Sequence, residues 1–356
     1  ISHKQTAMTT TTPAEEGADA PAANAPQAAA ATQSVNQPLV CHGHSRPIVD
    51  LQFSPETDDG TFLVSASKDG KPMLRNATSG DWIGTFEGHK GAVWSASLNP
   101  SATLAATGSA DFSCRVWDAL TGDQVYAFAH KHIVRCVSFS PDSAKLVTGG
   151  FEKFLRVYDL TKPEADPVVL SPPQASAIKC CGWSRRDASL VYASCASAGS
   201  GIGTWDLRVD GKGEGKNLVS TWETKDGAVV TSIELTGDGA GGEETVVTAS
   251  GHEVTFWDAA QGKRVKEHTL PEGFVVESAS LCPLTLEGGR RVFAAGGEDM
   301  WVRVYDYETG QEVDCNKGHH GPVHCVRFHP DGKSYASGSE DGTIRIWRTP
   351  TAAAAK

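Results

Sequence analysis

Hydrophobic and polar residues alternate along most of this chain with a period of two, and the segment from Gly318 to Trp347 shows the pattern in full. An apolar run, Val323, Cys325, Val326 and Phe328, reaches a Pro330-Asp331-Gly332 turn. A small-residue stretch from Tyr335 to Ser339 follows, then Glu340-Asp341-Gly342, then alternating residues up to Trp347. Side chains that alternate between two faces, cut by Asp-Gly turns, predict a meander of short antiparallel strands. Such a unit is too small to cover its own faces, so it needs neighbours of the same kind.

The rest of the chain supplies them. Gly43-His44, Gly88-His89 and Gly318-His319 open units, with Ala129-His130 as a variant. The strand-end markers Arg75, Trp117, Tyr158, Trp205, Trp257, Tyr305 and Trp347 recur about every 45 residues, the spacing of repeats that contribute four strands each. Each marker stands for one unit, so the markers predict a seven-unit, all-β ring. The last unit has only three strands of its own. Residues 38–41 stand directly before a Gly-His, as Trp82 to Phe86 do in their own unit. They are expected to supply the missing outer strand and so join the two chain ends, leaving no long exposed edge.

With spacing, end motifs and turns in agreement, the chain resembles the WD-repeat (WD40) propellers. The resemblance implies a seven-bladed WD40 β-propeller over residues 37–348. Within that class KDGKPMLR (Lys68 to Arg75), GDWIGTFEGHKGAVW (Gly80 to Trp94) and AHKHIVR (Ala129 to Arg135) are similar to the serine/threonine kinase receptor-associated family. That similarity implies a non-catalytic scaffold, cytoplasmic and nuclear, without cofactor or small-molecule substrate. The partners it implies are ribonucleoprotein-assembly factors of the survival-of-motor-neuron complex kind and mRNA-binding proteins, with kinase-receptor signalling in animals. Two other resemblances compete. The last unit is similar to that of the WD-repeat subunit of translation initiation factor three. Trp205-Asp206-Leu207-Arg208 resembles the W-D-x-R signature of substrate receptors of cullin-type ubiquitin ligases.

Composition narrows the partners. The net charge of −11 argues against a general electrostatic surface for nucleic acid, so no direct sequence-specific binding of nucleic acid is expected. Nine cysteines without a C-x-x-C pair suit reduced, buried thiols rather than a disulfide framework. No apolar run is long enough to predict a membrane span. Residues 1–36, rich in Ala, Thr and Pro and without an aromatic, cannot bury enough apolar surface to offset chain entropy and are expected to be a disordered tail. Met8 is a candidate natural start, and residues 349–356 are expected to form a short C-terminal tail.

Two constellations look like catalytic triads: His89, Thr107, Asp111 and Trp117 in the second repeat, and His319, Ser337, Asp341 and Trp347 in the seventh. An active site occurs once in a chain. A set repeated at equal intervals predicts instead a hydrogen-bond network inside each blade. The first repeat, with Arg75 at the Trp position, is expected to hold a weaker one. No His or Cys spacing predicts a metal site. Two positions per repeat are expected to meet around the channel as a partner-binding rim. Five residues after the repeat His, or its counterpart, stand Trp94, Arg135, Lys179 and Glu277. Just before the turn acid, or its counterpart, stand Phe151, Glu298 and Glu340. Aromatic and basic residues therefore fall on blades two to four and acids on blades six and seven, and exposed aromatics beside Arg are the make-up of an interaction hot spot.

Overall fold

Each alternating run of the sequence is a strand in the computed structural model, which describes residues 36–171, 173–195, 201–209, 217–237 and 244–350. The expectations for residues 1–35 and 351–356 lie outside the described residues. The second repeat is typical: Val93–Leu98, Leu104–Ser109, Ser113–Asp118 and Gln124–Ala129 form one antiparallel sheet in that order. Among the described residues there are seven such four-stranded sheets. Each inner strand packs on the inner strand of the next sheet, and Val323–Phe328 of the last packs on Ile48–Phe53 of the first. The protein is a closed seven-bladed β-propeller.

The blades cohere through the apolar layers between them. Val64 and Leu74 of blade one pack on Val93, Leu98 and Trp117 of blade two, and equivalent layers lie between every other pair. Full burial of such side chains is worth about 1.5–3 kcal/mol each, and no blade could bury both of its faces alone. The final blade is completed by Leu39–Cys41, antiparallel to Ile344–Arg348 with Leu39 opposite Ile346 and Cys41 opposite Ile344. Asn36, placed by composition in the tail, already belongs to this joint. Its Nδ2 donates to the Arg348 carbonyl at 2.9 Å and its Oδ1 accepts from the Arg348 N–H at 3.4 Å.

One irregularity recurs and sets up the candidate site. In six blades the pairing of the first two strands slips by one residue just after the inner strand starts. The residues bulged out there are Val49, Trp94, Arg135, Thr231, Glu277 and His324. A bulge re-aims a side chain away from the regular pleat. Among the described residues, no helix is long and apolar enough to cross a membrane.

Candidate functional site

The triad-like sets are internal. His89 Nδ1 lies 2.8 Å from Asp111 Oδ2 and its Nε2 lies 2.6 Å from Thr107 Oγ1, while Trp117 Nε1 donates to the same hydroxyl at 2.8 Å. His319 repeats the geometry with Asp341 at 3.0 Å and Ser337 at 2.8 Å, and Trp347 Nε1 donates to Ser337 at 2.8 Å. Everything is satisfied when His Nδ1–H donates to the carboxylate and the hydroxyl donates to Nε2. Thr107 and Ser337 are fully buried, so neither hydroxyl can meet a substrate. Gly88 is small because Trp117 is close: a Cβ there would stand 3.2 Å from its ring and 2.7 Å from Arg115.

These networks are electrostatically asymmetric. Burial would raise the Asp341 carboxyl, but the His320 N–H, the Thr343 hydroxyl and N–H, and His319 outweigh it and hold the group down at about 2. Asp111 is held lower still, its burial likewise outweighed by His89, Ser113 and the Lys90 N–H. On the histidine side, burial pushes His319, and His130 of the third repeat, below their ordinary value. The first repeat keeps the histidine contacts but lacks two bonds of the others, the strand-end indole donor and the hydroxyl donor to the turn Asp, where Lys71 stands. His44 Nδ1 meets Asp69 at 2.9 Å and its Nε2 meets Ser65 at 2.8 Å. Arg75 fills the Trp place, 3% exposed, and its guanidinium donates to the carbonyls of Gly80 and His42.

A central cavity of about 380 Å³ is lined by, among others, the bulged Trp94 and Arg135 and by Lys179, Glu234 and Arg327, whereas Phe151, Glu277, Glu298 and Glu340 are not on its lining. Trp94 is half-buried rather than exposed, since the Arg135 guanidinium sits 4.0 Å from its ring centroid. Trp94 Nε1 and Arg135 Nε are both buried without a hydrogen-bond partner. Lys179 is exposed on the next blade, where its N–H and that of Cys180 donate to Ser194. Phe151 is 43% exposed, on the turn of blade three.

The acidic arc is smaller than the sequence implies. Glu298 is exposed and Glu277 half-buried, but Glu340 is ion-paired with Lys68 at 3.3 Å and lies 2.8 Å from His324 Nε2. Arg208 of the W-D-x-R string is already engaged, with Asp206 at 2.8 Å and Asp187 at 3.2 Å. Among the described residues no group of His, Cys, Asp or Glu could hold a metal ion.

Sequence reasoning missed Phe112 and His132. Phe112 is 46% exposed and packs against His132, which stacks on Phe151 with centroids 5.1 Å apart. A signal was present. In repeats one and seven the residue after the turn Asp is glycine, Gly70 and Gly342, and in repeat two it is Phe112.

The WD40 family (WD domain, G-beta repeat) matches residues 80–118, 122–159 and 310–348 of this chain. Each match takes in the outer strand of one blade and the first three of the next, the same offset by which the ring is closed. The chain is 46% identical over 314 residues to the serine-threonine kinase receptor-associated protein of Dictyostelium discoideum, covering 88% of this chain and 99% of that protein. The Homo sapiens protein of that name is 46% identical over 312 residues, 88% of this chain and 82% of its own length. The eukaryotic translation initiation factor 3 subunit I of Bombyx mori is 30% identical over 334 residues, 87% and 94% of the two chains.

Proposed function

This chain belongs to the serine-threonine kinase receptor-associated protein family of WD-repeat propellers, and on that premise we propose that it is a non-catalytic adaptor of the cytoplasm and nucleus. It docks protein partners of ribonucleoprotein assembly and mRNA processing over blades two to four. The observation that carries this reading is the Trp94–Arg135 pair, an aromatic ring under a guanidinium 4.0 Å away on the lining of the central cavity. A carboxylate of a docked segment would pair with that guanidinium. The relatives' name adds the serine-threonine kinase receptor as a second class of partner, and their identity to this chain supports it.

Affinity purification of the tagged full chain from its own organism, with mass spectrometry, tests the reading. The variant Trp94→Ala/Arg135→Glu is expected to lose the main co-purifying partner, because truncating a true anchor weakens binding about 30-fold or more. Its circular dichroism and melting temperature should stay near wild type. Recovery of the same partners at the same yield would end the assignment of this face. Partners consisting of initiation-factor subunits or cullin adaptors would replace the proposed role.

A further inference from the structure

We propose that Phe112, His132 and Phe151 form a recognition ledge for an extended acidic partner segment that carries an aromatic or bulky apolar side chain. This rests on the adaptor reading and names the chemistry of what that face takes.

The backbone supplies the first reason. At the corner after the turn Asp, Gly70 and Gly342 have φ of 79° and 76°, a left-handed conformation natural for glycine. Phe112 occupies the same corner at φ 66°, although bulky residues avoid that region. Its ring does not enter the core, being 46% exposed. Lys153 and Met300 take the same corner at φ 68°, so the left-handed turn belongs to the blade; what marks Phe112 is a large ring placed there and left outside the core, burying little apolar surface for the fold.

The surroundings supply the second. Rings from two turns and one inter-blade loop share a single surface: Phe112 lies 5.6 Å from His132, and His132 stacks on Phe151 with planes 13° apart. His132 is only three residues from Arg135, so the ledge leads toward the channel mouth.

Charge supplies the third. Lys90, Lys131 and Lys153 are exposed around the rings. Lys153 Nζ reaches the Ala175 carbonyl, while Lys90 and Lys131 form no ion pair among the described residues. The carboxylates of these turns are spent inward. Asp111 serves His89, the Lys90 N–H and Ser113, and Glu152 serves Arg156 and the Lys131 N–H. On a protein of net charge −11, the free charge of this patch is positive. Acidic side chains would be steered there, and an aromatic would complete the stack.

A phage-displayed random-peptide library, panned against the full chain, tests the ledge. Enriched peptides should carry Asp or Glu around an aromatic or large aliphatic residue. In fluorescence anisotropy they should bind Phe112→Gly about 30-fold more weakly. Phe112→Gly restores the residue that blades one and seven use at this corner, so its melting temperature should equal or exceed that of wild type. Phe112→Asn, which tolerates the same backbone, should behave alike. Lys131→Glu should weaken the peptides mainly at low salt. The ledge is refuted if enriched peptides lack acidic residues, if they bind Phe112→Gly as wild type, or if a uridine oligonucleotide binds more tightly than they do. Should Phe112→Gly keep its peptides while Trp94→Ala/Arg135→Glu loses the cellular partners, the ledge falls and the adaptor reading stands.

Discussion

At the scale of single residues, the His-Asp-hydroxyl networks are where side-chain chemistry holds the fold. Removing Asp341 leaves His319 Nδ1, the His320 N–H and the Thr343 hydroxyl without their acceptor, so Asp341→Ala should cost about 2–4 kcal/mol in urea unfolding. Asp69→Ala should cost less, because it orphans His44 and the Ser45 and Lys71 N–H groups but no hydroxyl like that of Thr343. Equal costs would mean that neither the hydroxyl nor the strand-end Trp, both absent from blade one, adds to the network. The Asp and His positions were legible in the sequence because their spacing repeats. The role of Arg75 was not. A repeat pattern registers the missing Trp, but not a guanidinium that fills the same volume and meets two carbonyls.

Strands and turns were legible for the same reason: period two and Asp-Gly corners are local properties. The joint between the chain ends was legible from the strand left over. That it takes in Asn36 was not, since a single Asn in a polar stretch gives no periodic signal. The bulges were invisible too. They insert no unusual residue: spacing from the repeat His placed Trp94 and Arg135 at the channel, and only the paired register reveals the bulge by which they reach it. The joint makes a clear prediction at this scale. A chain starting at residue 36 should melt like the full one, because the removed segment lacks apolar content. A chain starting after Cys41 loses the strand beside Ile344–Arg348 and a buried thiol packed against Ile344 and Ile346. Its melting temperature should fall by several degrees, in line with a loss of about 2–4 kcal/mol. Equal melting of the two truncations would mean that the seventh blade holds without its outer strand.

The ring is joined across its axis by half-buried charged groups on the lining of the central cavity, and these shape its response to pH. Arg327 of blade seven donates to Ser278 of blade six at 2.9 Å and approaches Asp50 of blade one at 4.0 Å. Asp50 accepts from Ser95 of blade two, and Glu234 of blade five from Ser280 of blade six. Burial lifts both carboxyls above their ordinary values, against the pull of Arg327. The folded state therefore takes up these protons before the unfolded state does, and both groups favour the fold as pH falls. His319 and His130 act in the opposite sense. Depressed by burial, they stay neutral in the fold while the unfolded chain protonates below the ordinary 6.5, so stability is lost from there downward. Asp341 adds a second loss, of about 2 kcal/mol, as pH falls from about 4 to about 2. Carboxyls held down outnumber the two that are lifted, so acid should destabilise the ring overall, first below 6.5 and again below about 4. Glu234→Gln isolates the opposing term. The amide keeps an acceptor for Ser280 but carries no charge to bury. It should raise the melting temperature near neutral pH, where wild type holds a half-buried carboxylate, and leave it unchanged at about pH 4. A loss of equal size at both pH values would show that Glu234 serves the ring through its packing, with its charge stabilised by Arg327 at no net cost.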